Sequence, residues 1–333
     1  MITVSLSKQI VLSLLSITAL LAGIAAAAIG ASTFTLTLTD LASAVFGDAS
    51  SLASQLILTV RLPRILVAAV AGAALAMAGA LMQGITRNPL ASPALFGINA
   101  GAACLLVLTQ TGLVAWLSDL PLILVTALGA ALSGALVLML GGGISGRIHP
   151  VRVVLAGVAV TALLMALTRT LLILDEQAQA VLDWLAGSLT DVGWDQWHQL
   201  WPWVFAAGLL SLLMAQSMNL LALGEEMASG LGLSPLKIRL QVSLLVIILA
   251  ASVVAVTGPI AFVGLLVPHL ARRLVGADHR ILLPVSALLG AALMVWADLV
   301  SRWLVFPSET PVGLVTALLG APCFLWLTSR EQH

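Results

Sequence analysis

Charge is what this sequence most conspicuously lacks. Only 8% of its 333 residues are Asp, Glu, Lys or Arg, against about a quarter in soluble domains. With 61% hydrophobic residues beside so little charge, a water-soluble globule is excluded and the chain belongs in a bilayer. Cysteine is nearly absent too. Cys104 and Cys323 lie singly in apolar windows without CxxC spacing, which argues against a disulfide framework or a thiolate metal site and for two buried, inert thiols. His269 follows Pro268 with no second His, Cys or carboxylate at ligand spacing, so it is read as a packing or hinge residue and no metal site is expected. No G-x-x-x-x-G-K-[ST] stretch occurs. The chain therefore has no P-loop to cradle nucleotide phosphates, and ATP-driven work would fall to another subunit. Fourteen basic residues balance fourteen acidic ones, giving no electrostatic reason to expect nucleic acid.

What is present is a series of apolar windows, each of the roughly 20 residues needed to cross about 30 Å of hydrocarbon. They run 10–31, 65–83, 95–113, 122–142, 153–174, 201–218, 240–256, 259–275, 281–304 and 312–327. The predicted fold class is an all-α integral membrane protein, ten transmembrane helices in a single domain over 1–333. The first window is longer than a signal peptide's apolar core and reads as a retained span. The eighth is the weakest, because Pro268 and His269 interrupt its pattern.

Charge asymmetry argues for keeping the eighth, since Lys and Arg favour cytoplasmic loops. With ten spans and both termini inside, Lys8, Arg87, Arg147, Arg152, Lys237, Arg239, Arg272, Arg273, Arg280 and Arg330 face inward, leaving Arg61, Arg64, Arg169 and Arg302 outward, ten against four. Deleting the eighth span gives seven against seven. Trp116, Trp184, Trp194, Trp197, Trp201, Trp203 and Trp303 then fall at outer span ends, where indole prefers the interface. Runs such as "AGAALAMAGA" (71–80) and "ALLGAALM" (287–294) supply the small residues that let membrane helices approach closely.

Three groups of polar residues stand out. Arg61 and Arg64, in "RLPR" before the second span, share the outer face with Arg302 of the ninth. Each could snorkel to the headgroups, or the three together could meet carboxylates of a docking protein. Asp298 and Arg302, spaced i,i+4, can neutralise each other on one helix face. They are either a structural pair or, in an ion-coupled transporter, a relay, although a relay usually needs a second embedded acid. Thr168, Arg169 and Thr170, near the outer end of the fifth span, either line an aqueous path for an anionic solute or hold an arginine that snorkels outward. Two outer segments, 32–60 and 175–200, are long enough for short helices, and the inner segment 219–237 reads as a short amphipathic helix carrying Glu225 and Glu226, then a Gly-rich turn.

"RLPR" (61–64), "RNPLASPALFGINAGAA" (87–103), "GPIAFVGLLVPHLARRLVG" (258–276), "HRILLPVSALLGAALMVWADLVSR" (279–302) and "PVGLVTALLGAPCFLWL" (311–327) together resemble the permeases of bacterial type II ABC importers, which carry ferric siderophores, haem and cobalamin. Within that family the chain looks closest to the ferric dicitrate permease subunits. The resemblance implies a non-catalytic, multi-pass subunit of the bacterial inner membrane. It would pair with an identical or homologous permease, two ATP-binding subunits that hold ATP and Mg, and a periplasmic binding protein, and would bind no cofactor itself. It implies that Arg61, Arg64 and Arg302 receive the binding protein, that the stretch with Leu221, Gly224, Glu225, Glu226, Gly230 and Leu233 couples to the ATPase, and that Asn88, Pro89 and Leu90 form part of an inner gate. The "RIHPVR" segment (147–152) departs from the small hydroxylated residues usual there. The resulting reading is an ATP-driven importer permease for a ferric chelate. The alternatives are an ion-coupled secondary transporter, a purely structural membrane subunit and, within the family, a haem or cobalamin permease.

Overall fold

In hydrocarbon a backbone has only itself to hydrogen-bond, and this chain responds with helices. The structure, a computed structural model, describes residues 6–30, 37–47, 51–143, 150–174, 181 and 184–330, and no strand occurs among them. The helices used below are α1 (Leu6–Ile29), α2 (Leu38–Phe46), α3 (Leu52–Thr86), α4 (Ile98–Gln110), α5 (Leu122–Leu138), α6 (Pro150–Leu174), α7 (Trp194–Ala222), α8 (Glu225–Gly230), α9 (Pro235–Thr257), α10 (Val263–Val275), α11 (His279–Leu304) and α12 (Val312–Arg330).

Six of these, α3, α5 extended to Gly142, α6, α7, α9 and α11, are long and apolar enough to cross a membrane. Leu15–Ala28, Ile98–Gln110 and Val312–Leu325 are shorter apolar helical stretches. The predicted eighth span is shorter than its window. Gly258 and Phe262 take positive φ, +70° and +66°, so the backbone from 258 to 262 is not helical. The 13 residues of α10 then rise only about 20 Å. The second span departs the other way, beginning at Leu52 rather than Ile65 and absorbing "RLPR" into the helix. Short helices do fill part of the first outer segment, as α2 and the first turns of α3 show, while residues 175–180, 182 and 183 of the second lie outside the described ones.

The core is built around α3, which touches α7, α9, α10 and α11 and buries Ala68, Ala71, Ala74, Ala78 and Leu81 completely. Its contact with α11 passes through Gly72 and Gly290: a Cβ on either would run into the other's carbonyl oxygen. Gly79 meets the Gly264 backbone of α10 in the same way. Backbones this close gain dispersion contacts that bulkier side chains would block. At the rim, α6 leaves Val151, Leu155, Val158, Leu163 and Leu167 exposed, and Cys323 on α12 is likewise exposed, unlike the buried Cys104. The inert-core reading of the thiols therefore holds for one of the two. Apolar composition marks a residue as lipid-compatible, and lipid-facing and core positions look alike in it.

Candidate functional site

The end of the bundle predicted to face outward is organised by a local irregularity. Residues Ile57–Arg61 of α3 form a π-turn in which the Leu62 N–H reaches the Ile57 carbonyl. Continuing that spacing, the next donor would come from residue 63 to the Leu58 carbonyl, but Pro63 has no N–H. The Trp194 indole fills the gap, donating to the Leu58 carbonyl at 3.0 Å. This lets Pro63 sit inside a continuous helix and carries Arg61 and Arg64 on it into the bundle.

There the two arginines join a buried ionic cluster. Arg64 Nε and Nη2 both lie 2.8 Å from Asp298 Oδ1, and Nη1 lies 2.7 Å from Glu309 Oε2. Arg302 donates through Nη1 and Nη2 to the Ala27 carbonyl of α1, both at 3.2 Å, and through Nε to the Asp298 carbonyl at 3.3 Å. Its Nη2 is 3.1 Å from Asp298 Oδ2, an ion contact whose angle falls short of a hydrogen bond. Arg61 lies within electrostatic reach of Arg64, Glu309 and Asp298. Asp298 is 1% exposed and Arg302 2%, while Glu309 is 32% exposed and lies at the solvent edge.

The three arginines are thus gathered at one end, as the sequence suggested, but they do not lie on open surface. For Arg64 and Arg302 the chain supplies the carboxylates itself. The i,i+4 pairing of Asp298 with Arg302 was legible, whereas the bonds from Arg64 join residues 234 and 245 positions apart and no local pattern announces them. Glu309, absent from the predicted site, is the group sequence reasoning missed. It also lines a cavity of about 810 Å³ together with Gln110, Trp184, Asp191, Gln196 and Gln199.

The proposed path-lining triplet divides. Thr168 is buried against Cys104 and bonds the Leu164 carbonyl at 2.7 Å, while Arg169 and Thr170 are exposed. Successive helical residues turn by about 100°, so the three cannot share one face. Arg169 and Thr170 are exposed on the helix that also exposes Leu163 and Leu167.

At the opposite end, α3 stops at Arg87, whose φ is +51°, and its guanidinium pins the terminus to α7 by donating to the Leu221 carbonyl at 2.7 Å. Asn88, Pro89 and Leu90 follow as an exposed turn, with the Leu90 N–H bonded to Asn88 Oδ1 at 2.9 Å; residues 144–149, the first half of the "RIHPVR" stretch among them, lie outside the described ones. Nearby, Gly224 at φ +129° starts α8, a conformation that a side chain would strain. Glu225 is tied to Arg239 of α9 at 2.5 Å. Leu221 is buried, the Leu233 N–H bonds the Ala228 carbonyl at 3.0 Å, and Glu226, Met227, Gly230 and Leu231 are exposed. The predicted coupling stretch is therefore a short helix anchored at both flanks with an acidic and apolar outer face.

Beside it, Asn219 of α7 donates to Asp278 Oδ1 at 2.6 Å and accepts from the His279 N–H at 2.9 Å, joining the ends of α7 and α11. Burial alone raises the Asp278 carboxyl. The Arg280 N–H, the Asn219 amide and the positive charges of Arg280 and His279 outweigh that and hold it below the ordinary carboxylate value. Among the described residues no group of three or more His, Cys, Asp or Glu could hold a metal ion.

Comparison with known proteins places this geometry. The model of a family described as the FecCD transport family matches residues 14–330. The Fe(3+)-citrate import system permease protein YfmD of Bacillus subtilis (strain 168) is 44% identical over 280 residues, covering 84% of this chain and 83% of that one. The Fe(3+) dicitrate transport system permease protein FecC of Escherichia coli (strain K12) is 44% identical over 286 residues, 86% of each. A solved structure described as a metal-chelate type ABC transporter in an inward-facing conformation superposes with a TM-score of 0.83 at 31% identity, covering 96% of this chain and 98% of the other.

Proposed function

Because this chain belongs to the FecCD transport family, we propose that it is the permease subunit through which an ATP-driven importer passes a ferric chelate, a ferric citrate complex in particular, into the cytoplasm. The observation that carries the reading is the near full-length similarity to two ferric citrate permeases at 44% identity. The absence of a P-loop from the sequence assigns hydrolysis to separate ATP-binding subunits, and a second permease and a periplasmic binding protein complete the assembly.

In this reading the chain crosses the membrane ten times, by six long helices, three shorter apolar ones and the short α10, with both termini in the cytoplasm. The ten-to-four distribution of basic residues supports that orientation. The outer end, with Arg61 and Arg64 at its edge, receives acidic residues of the binding protein, and Arg302, turned inward onto Ala27 and Asp298, holds that end together. The inner end presents the exposed face of α8, Glu226, Met227 and Leu231, to a groove on the ATPase, and Asn88–Leu90 forms part of the inner constriction.

Proteoliposomes containing the permease pair, the ATPase and the binding protein test the reading with radiolabelled ferric citrate. Uptake is expected to require ATP, the ATPase and the binding protein and to survive an uncoupler. Uptake that persists without the ATPase and collapses with the uncoupler would establish a secondary transporter instead.

A further inference from the structure

Each nitrogen of the Arg64 guanidinium contacts a carboxylate of this chain, yet the two carboxylates are not equivalent. Asp298 is 1% exposed, sits on the neighbouring α11, accepts a hydrogen bond from Arg64 Nε and lies in ion contact with Nη2. Glu309 reaches the third nitrogen from the solvent edge, 32% exposed, on the non-helical connection between α11 and α12. The connection is otherwise held by few bonds, one of them from the Thr310 N–H to the Ser301 carbonyl at 3.1 Å. Asp298 is thus a fixed anchor that aims the guanidinium, and Glu309 covers its outward corner.

We propose that Glu309 is a built-in competitor for the acidic residues of the binding protein: it occupies Arg64 Nη1 while the importer is empty and gives it up to an incoming carboxylate on docking. This rests on the docking reading above. The exchange is favoured because Asp298 keeps the Arg64 guanidinium charged and aimed outward whether or not Glu309 is in place. A partner acid therefore takes over a contact already shaped for a carboxylate. Glu309 and Pro311 line the 810 Å³ cavity, so releasing Glu309 frees part of that cavity's wall at the moment the binding protein is seated.

Affinity of the reconstituted importer for its binding protein, measured on nanodiscs at low salt, tests the exchange. Glu309→Gln is expected to tighten docking about two- to fivefold, the scale of one partly exposed ion pair. Asp191→Asn, which removes an exposed acid from the same cavity, should not. The gain should shrink as salt rises and vanish in an Arg64→Gln background. Unchanged or weaker docking by Glu309→Gln, or a gain that survives Arg64→Gln, would overturn the competition while leaving the docking reading intact. Arg64→Gln with unaltered docking would remove the docking reading and the competition with it. If Glu309→Gln fails to elute as a monodisperse complex, Glu309→Asp, which retracts the carboxylate by one methylene, should give a smaller gain in the same direction, and no gain would count against the proposal.

Discussion

Replacing Asp298 with Asn is the sharpest test of the buried cluster. The substitution preserves shape but leaves the Arg64 and Arg302 guanidinium groups facing an uncharged amide in a site where both are nearly inaccessible. Removing one partner of a buried ion pair costs about 3–5 kcal/mol, because the other charge stays behind without compensation. Two contacts soften the loss here: Arg64 keeps Glu309, and Arg302 keeps both bonds to the Ala27 carbonyl. The lower figure, about 3 kcal/mol, is therefore expected. At about 1.4 °C per kcal/mol, the scale for an unfolding entropy of about 2.1 cal/mol/K per residue over 333 residues, the melting temperature should fall by roughly 4 °C. Intrinsic fluorescence of the nine tryptophans in detergent micelles gives the readout. A double-mutant cycle with Arg302→Gln should return a coupling of about 1 kcal/mol or more. A melting temperature within about 2 °C of the parent would refute the claim that this network stabilises the fold, since surface ion pairs cost no more than that.

Three further predictions concern other links. Trp194→Phe should cost about 1–2 kcal/mol by stranding the Leu58 carbonyl, and the penalty should shrink in a Pro63→Ala background, where a backbone N–H returns to serve that carbonyl; equal penalties in both backgrounds would sink the explanation. Gly72→Leu should push α3 from α11, because even a Cβ meets the Gly290 carbonyl, and abolish monodisperse expression, whereas the same change at exposed Gly230, which has open space, should be tolerated by the fold; normal yield of the Gly72 variant would be the contrary result. Asp278 is held below its ordinary value, so its contribution is present above the unfolded carboxylate pKa of about 3.9 and is lost as pH falls through the lower folded value. Asp278→Asn should therefore flatten the acid limb of the melting curve below about pH 5, and an unchanged limb would exclude the Asn219–Asp278 link as its source.

The sequence by itself determined the solvent, the helical class and the small-residue seams, because each is written in local composition: a chain with 8% charge has no aqueous fold, lipid leaves its backbone only helix or closed barrel, and the spans are too continuously apolar for barrel strands. It also exposed the Asp298–Arg302 pair, since i,i+4 spacing fixes two residues on one face without reference to anything else. Only the tertiary structure decided that Glu309 closes on Arg64 across 245 positions, that Trp194 repairs the gap left by Pro63, and that Thr168 rather than Arg169 or Thr170 faces the core. Those are choices of helix rotation and crossing, and in a membrane nearly every face of these helices is apolar. Hydrophobic periodicity, which orients helices in water, therefore carries little orienting information here. The packing of glycine on glycine and the pairing of buried charge fix the rotations instead, and both exist only once distant segments have met.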